Sequence, residues 1–511
     1  MTTQAKIQVM PEGIEKTEAS RKLLERVGEF IPPGLSDMFN AYRYSNMLSG
    51  PKTQMRNMGE NLMNTFVTRP ADLATKGTID WIRSGVTGHE RQAYISDVPL
   101  YYKKAWNAIP SAMEAVRNVW IKKIPIERPD LQMIKSRNLP GVLTAIPRFM
   151  EATDRFNSAL ISAGQYAINR RHGMGDAEAM QSAIKLAEKY LYRTKLGWTD
   201  KDSSLATRSL QGLASTMETM RSKVPGSGWF IPFIRTPINK AVEMVERIPI
   251  IGQVGGKVGE EQVARAINGS IIMGIGALAA YRGDTTWAAP KDEKERELFY
   301  ASGRKAFSVR VPVGKGEVWI PIWYLGPYVM SYALPSAFKY YSKDSPDALT
   351  GDKMKMAENI VLNSSRFISE QSPLQGVSGL FRLLEGDIDV TLENLLGFTA
   401  GQVIPAEGLV RYINTILDPI YRKPRGFLET IMRDLPGLSQ QVPSYKSPIG
   451  EESKRELINA VLPYDIGIGQ PQYEPFLQQR QQELKINKYK NYLKKQSEEG
   501  QQVNPYNQYS Q

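Results

Sequence analysis

The side chains of this 511-residue chain that could carry out chemistry form no recognisable catalytic pattern, and among 53 acidic residues some carboxylates are neighbours by chance, so no glycosidase pair can be argued. There is no cysteine, which removes disulfides, thiolate metal sites, iron–sulfur ligation and cysteine nucleophiles together. The only imidazoles, His89 and His172, lie far apart in sequence and read as surface histidines rather than metal ligands. Gly50, Pro51, Lys52 and Thr53 have the ending of a phosphate-binding loop. The leading glycine is missing, however, and Pro51 removes a backbone donor that a phosphate needs. Gly252, Gly255, Gly256 and Gly259 follow no buried strand and precede no ribose-binding acid, so they read as a flexible hinge. No nucleophile-elbow serine and no His-Glu-x-x-His pair is present. The expectation is a non-enzyme with no catalytic, metal-binding or cofactor-binding residues and no cofactor.

Charge narrows the partners. A net charge of +12, with 65 basic against 53 acidic residues, favours double-stranded DNA held nonspecifically or an anionic lipid surface. The excess is spread along the chain, which does not suit a sequence-specific DNA reader. Met1 to Glu15 is polar and lacks an apolar signal core, so synthesis in a cytoplasm is expected. A hydrophobic content of 41% is enough for sizeable cores and excludes collagenous and wholly disordered classes.

The elements that would position any site are mostly helices. Asp176 reads as an N-cap, followed by an apolar stripe of Met180, Ala183, Ile184, Ala187, Tyr190 and Leu191 with Lys185, Glu188 and Lys189 opposite. Shorter helical patterns occur at Ser20 to Phe30, Ser111 to Trp120 and Phe149 to Ile161, parted by Pro110, Pro125, Pro129, Pro140 and Pro147. Further along, the period changes. Phe307, Val309, Val311 and Val313 alternate with Ser308, Arg310 and Pro312, Gly314 to Gly316 turn the chain, and Val318, Ile320 and Ile322 return. That pattern predicts a small hairpin, with Pro312 and Pro321 giving it edge character.

One segment is unlike the rest. Ala266 to Tyr281 carries no charge and lies between Arg265 and Arg282. As a helix it is about 24 Å long, against a hydrocarbon core of about 30 Å. Ile267, Ile271, Ile272, Ile275 and Leu278 together favour insertion by roughly 1.5 to 3 kcal/mol, which polar and glycine residues erode. Marginal insertion and a buried core helix are therefore both open. Ile267, Ile271, Ile272, Met273, Ile275 and Leu278 are the membrane-contact candidates. Gly269, Ser270, Gly274 and Gly276 are helix-packing positions, and Trp229, Phe230, Phe233, Tyr281 and Trp287 are interfacial anchors. The two arginines would snorkel at the ends.

The predicted fold is mainly α, an irregular multi-helix elongated assembly with one small β-hairpin. Its expected regions are a helical part (1–225), a proline/glycine linker with the apolar helix (226–300), the hairpin region (301–345), a second helical part (346–470) and a polar Gln-rich tail (471–511). Such a tail buries too little apolar area to offset its ordering entropy and is expected to be extended or ordered only on a partner.

Several stretches together resemble the very large polyvalent or internal virion proteins of tailed phages. Leu48 to Thr53 with Asn57 is similar to their leucine-serine-glycine-proline-lysine-threonine stretch. Arg148, Asp154 and Phe156 resemble an arginine-to-aspartate-phenylalanine helix, and Phe233, Arg235, Thr236 and Pro237 a phenylalanine-x-arginine-threonine-proline turn. Asp418 with Pro419, and Leu435 to Leu438, resemble the closing motifs. The likeness spans Ala41 to Pro463 and rests on the shared order. In that family the region lies near the carboxyl end of longer chains bearing lysozyme, protease or polymerase modules, which this sequence lacks. The resemblance implies an ejection protein, stored in the virion interior and released with the genome. Such a protein reassembles in the host cell envelope, in periplasm and inner membrane, as an oligomeric conduit for DNA. Implied partners are copies of itself, other virion ejection proteins, portal or tail components, double-stranded DNA and host inner membrane lipids. The competing expectation is a static capsid core or portal-associated protein that binds DNA nonspecifically.

Overall fold

A computed structural model describes residues 35–121, 141–194, 203–223, 234–287, 289–290, 293–314, 316–344, 404–446, 450–469 and scattered positions within 475–490. The helix predicted at Ser20 to Phe30, the aromatics Trp229, Phe230 and Phe233, and nearly all of the Gln-rich tail lie outside these residues. What is described is mainly α-helical with a small antiparallel sheet.

Helix α1 (Leu35–Leu48) leads through Ser49 and Gly50 into α2 (Pro51–Met63), with Pro51 in the first turn, where its missing N–H costs nothing. A π turn (Asn64–Thr68) joins α2 directly to α3 (Arg69–Thr87), with the Arg69 N–H on the Asn64 carbonyl. Pro70 accounts for this irregularity, because it cannot donate to the Phe66 carbonyl one turn back. The freed oxygens find other donors: Tyr102 donates its hydroxyl to Phe66 O at 2.6 Å and Tyr101 to Thr65 O at 3.0 Å. These two tyrosines come from α4 (Asp97–Asn107), which precedes α5 (Ile109–Ile121).

Helix α6 (Gly141–Arg171) corrects one sequence expectation. Pro147 does not separate two helices, since a single 31-residue helix runs through it. The carbonyl that Pro147 leaves unpaired, that of Leu143, accepts the Ser45 hydroxyl of α1 instead. Helix α7 (Asp176–Tyr190) begins with Gly175 as the cap residue, so Asp176 is the first helical position rather than the N-cap. Its buried row is Ala179, Ala183, Ala187, Tyr190 and, just beyond, Leu191, while Ile184 faces solvent. Lys189, expected on the solvent side, turns inward to pair with Glu246 at 2.9 Å.

Helices α8 (Leu205–Lys223), α9 (Arg235–Val245), α10 (Glu260–Arg282) and α11 (Glu293–Ala301) lead to the hairpin of β1 (Ser308–Val313) and β2 (Gly316–Pro321). Val313 pairs with Gly316, and Gly314 in the turn has φ 59°, the left-handed region that glycine adopts freely. β2 buries Trp319 and Pro321, whereas Val311 and Val313 of β1 stay exposed. A 3-10 turn (Ile322–Tyr328) feeds α12 (Val329–Asp344). After residues 345–403, which are outside the description, come α13 (Glu407–Leu417), α14 (Phe427–Asp434) and the single-turn α15 (Ile458–Val461). β3 (Gly467–Ile468) then adds a third strand on β2. The principal core joins Ala41, Tyr44 and Leu48 of α1 with Met150, Met244, Phe307, Val329 and Tyr332, so distant parts of the chain share one interior.

Candidate functional site: a half-covered apolar helix held by buried charge

The apolar segment forms the middle of α10, 23 residues long and about 34 Å by helical rise, with a mean hydropathy of 1.5 in its most apolar window. Glu260 and Glu261 in its first turn complement the positive end of the helix, and Gly283, at φ 77°, ends it. By length and composition it could cross a bilayer, yet one face is packed against α12 and α3. Gly269 and Gly276 make that packing possible. A Cβ at 269 would collide with the Arg247 carbonyl, and one at 276 with the Tyr332 carbonyl of α12. Lys339 of α12 then caps the far end by donating to Ala280 O at 2.5 Å.

The opposite face is open. Ile267, Ile271, Ile275, Leu278 and Tyr281 are 38, 58, 53, 51 and 84% exposed, and their spacing of three to four residues places them in one row. Of the other membrane-contact candidates, Ile272 and Met273 turn toward the core and are only half-buried. The four small residues divide likewise: Gly269 and Gly276 face protein, whereas Ser270 and Gly274 lie in the open row with nothing packed on Gly274. Among the aromatic anchors, Tyr281 is on the surface. Trp287 is buried instead, edge-on to Phe307 with ring centroids 5.0 Å apart, so it belongs to the core and not to an interface.

A buried charge lattice fixes the amino end of α10. Arg265, expected at a membrane boundary, is 1% exposed and donates to Glu243 at 3.1 Å and Glu246 at 2.6 Å. Arg247, fully buried, bridges Glu243 at 2.6 Å and Asp72 at 2.9 Å. Asp72 accepts three further hydrogen bonds, from Tyr190 (2.7 Å), Asn268 (2.8 Å) and Tyr328 (3.1 Å). Arg69, placed by the π turn, completes the lattice through Glu261 at 2.9 Å. Burial alone would raise the Glu243 carboxyl, but Arg265, Arg247 and Lys189 overcome it and hold it at about 2. Removing one partner from such a lattice leaves a charge stranded and costs about 3–5 kcal/mol. The lattice therefore ties α3, α7, α9, α10 and the turn before α12 together as a unit.

The glycine-rich stretch before α10 is not a free hinge. Gly252 N donates to Ile248 O at 3.0 Å, and a Cβ there would meet the Val245 carbonyl at 2.5 Å, so glycine is needed for a tight reversal. Leu205 N bonds Val254 O, and Arg208 reaches Gly255 O at 2.7 Å, which fastens the stretch to α8. Gly252 and Gly256 also border a cavity of about 140 Å³, lined by Lys189, Thr207, Asn239, Val242 and Glu246 among others, room for a few waters.

The motif residues are joints of the fold. Ser49 Oγ accepts Leu409 N at 3.2 Å, Gly50 abuts Gly408, and Lys52 pairs with Asp465 at 2.5 Å. Asp154 accepts Asn61 at 2.8 Å, and Arg148 donates to Val119 O at 3.0 Å. The closing motifs meet each other: Ser439, just after Leu435 to Leu438, donates to Asp418 at 2.7 Å, and Arg422 binds both Asp418 oxygens at 3.0 Å. Comparison with protein-family models, with curated proteins and with solved structures finds no match to this chain.

Sequence reasoning missed the charge lattice, since its members come from five separate elements. A signal was available in Arg265 and Asn268, polar residues spaced three apart on the apolar helix, which must find partners once that face is buried.

Proposed function

We propose that this protein is an internal virion protein of a tailed phage, ejected with the genome and assembling with its own copies in the host envelope as a conduit for DNA. The observation that carries the membrane part is the uncovered row of Ile267, Ile271, Ile275, Leu278 and Tyr281 on α10. An apolar row on a stiff, anchored helix is a contact surface for lipid or protein. The net charge of +12 suits passage of DNA by phosphate contact and attraction to anionic lipid. Phage origin and the ejection role rest on the ordered motif resemblance described above.

The charge lattice shapes this reading. Because Arg265 is bound inside the protein, α10 meets lipid along its open face, as an interfacial helix does, rather than as a free span. The same lattice favours a second reading, a static capsid core or portal-associated component whose row is covered by a neighbour and never meets lipid. Tagged protein followed from purified particles into infected cells separates the two. The ejection reading expects the protein in the host inner-membrane fraction after genome delivery; retention of all copies in the spent particle refutes it.

A further inference from the structure

The structure assigns a divalent metal site to Asp80, His89 and Glu260, with a first-row ion of the zinc type as its ligand. The three residues come from the second half of α3, the loop after it and the first turn of α10. Each offers a donor atom within 4.8 Å of the other two. Local geometry explains how they meet. Gly88, at φ 69°, ends α3 and reverses the chain. The returning loop then lies along the same helix because Gly77 leaves room: a Cβ there would meet Ile95 N at 2.5 Å. Asp80 clamps the loop by accepting Gln92 N at 2.8 Å and Ala93 N at 2.9 Å through Oδ2.

Two atoms are left over, and they point to a ligand. Asp80 is completely buried, yet among the described residues its Oδ1 has no hydrogen-bond partner, and His89 Nε2 is buried and equally unsatisfied. A buried carboxylate oxygen and a buried imidazole nitrogen, on two residues whose donor atoms lie within 4.8 Å of each other, would each carry a desolvation cost of about 1–3 kcal/mol unless something binds them. Glu260 is the adjustable third ligand, since Lys76 and Arg83 stand 3.8 and 3.6 Å from its oxygens, beyond hydrogen-bonding reach. One imidazole and two carboxylates suit zinc or a neighbouring transition ion, whereas magnesium and calcium prefer oxygen alone. Three protein ligands leave a fourth, solvent-filled position. A bound ion would pin the start of α10 to α3. This site does not depend on the proposed phage function.

The test is calorimetric titration of the EDTA-stripped full chain with zinc chloride and, separately, magnesium chloride. The expected result is one zinc ion per chain, no magnesium binding, and zinc affinity weakened at least about tenfold in both His89→Gln and Glu260→Gln, as loss of a ligand requires. His172→Gln, which removes the chain's other imidazole, is the control and should bind as wild type does. Far-UV circular dichroism of the metal-free proteins confirms that each variant is folded; Asp80, as the loop clamp, is left intact. Absence of stoichiometric zinc binding by the wild type, or equal loss in His172→Gln, overturns the assignment.

Discussion

Replacing Ile275 by aspartate tests whether the open face of α10 is a lipid surface. Ile267, Ile271, Ile275 and Leu278 each have roughly half their surface in water. At about 1.5–3 kcal/mol for full burial of such a side chain, covering the rest is worth ~3–6 kcal/mol for the four together. Aspartate at 275 removes one share and, at hydrocarbon depth, adds ~2.5–3.5 kcal/mol; at shallower interfacial depth the added cost is smaller. A net loss of about 2 kcal/mol, the lower end, lowers the partition coefficient about 30-fold. The position is open, so the substitution leaves the core untouched, unlike one at Ile272, which packs inward. The assay is flotation with vesicles of neutral and anionic phospholipid at neutral pH, scored as the fraction recovered with lipid. Ile184→Asp, at another exposed isoleucine on α7, is the control and should float as wild type does. Flotation of Ile275→Asp equal to wild type, or an equal loss in Ile184→Asp, refutes the argument.

Two further outcomes concern the fold that holds this surface. Gly274→Ala should raise the thermal midpoint, corresponding to about 0.5–1 kcal/mol of helix propensity with nothing in the way, whereas Gly276→Ala should lower it, corresponding to a stability loss of about 1–3 kcal/mol through collision with the Tyr332 carbonyl; shifts of opposite sign are expected, and shifts of the same sign would contradict the packing described. Urea midpoints should also depend on pH at both extremes. Glu243 is held at about 2 in the fold against 4.5 when free, so the unfolded chain takes up its proton first as pH falls. Its contribution is complete above pH 4.5 and is lost between 4.5 and 2. Tyr328 is pushed up to about 12 by burial and by Asp72, so the unfolded chain loses its proton first and stability declines from pH 10 to 12. A midpoint unchanged from pH 5 to pH 3 would show that Glu243 is not held by the lattice.

Helices α7 and α10 and the hairpin were legible in the sequence because their signals are local: the spacing of alanines and Tyr190 in α7, the alternation around Gly314, the uncharged run in α10. Even the division of α10 into two faces follows from residue spacing once its partner helix is known. What was not legible depends on distant chain. Pro147 reads as a break, and Ser45, about one hundred positions earlier, makes it harmless by donating to the Leu143 carbonyl. Gly252 to Gly259 reads as a hinge, and Arg208 and Leu205 of α8, far from it in sequence, fasten it. Arg265 reads as a boundary charge until Asp72, Glu243 and Glu246 are brought to it by other elements. Trp287 reads as an anchor until Phe307 covers it.

The joint that seats Ser49, Gly50 and Lys52 against Gly408, Leu409 and Asp465 links positions some four hundred apart along the polypeptide. Closing a loop of that length costs chain entropy before any contact offsets it. A ribosome must release most of the chain before this seam can shut, and any journey through a bore narrower than the folded body requires that it be undone and remade on the far side.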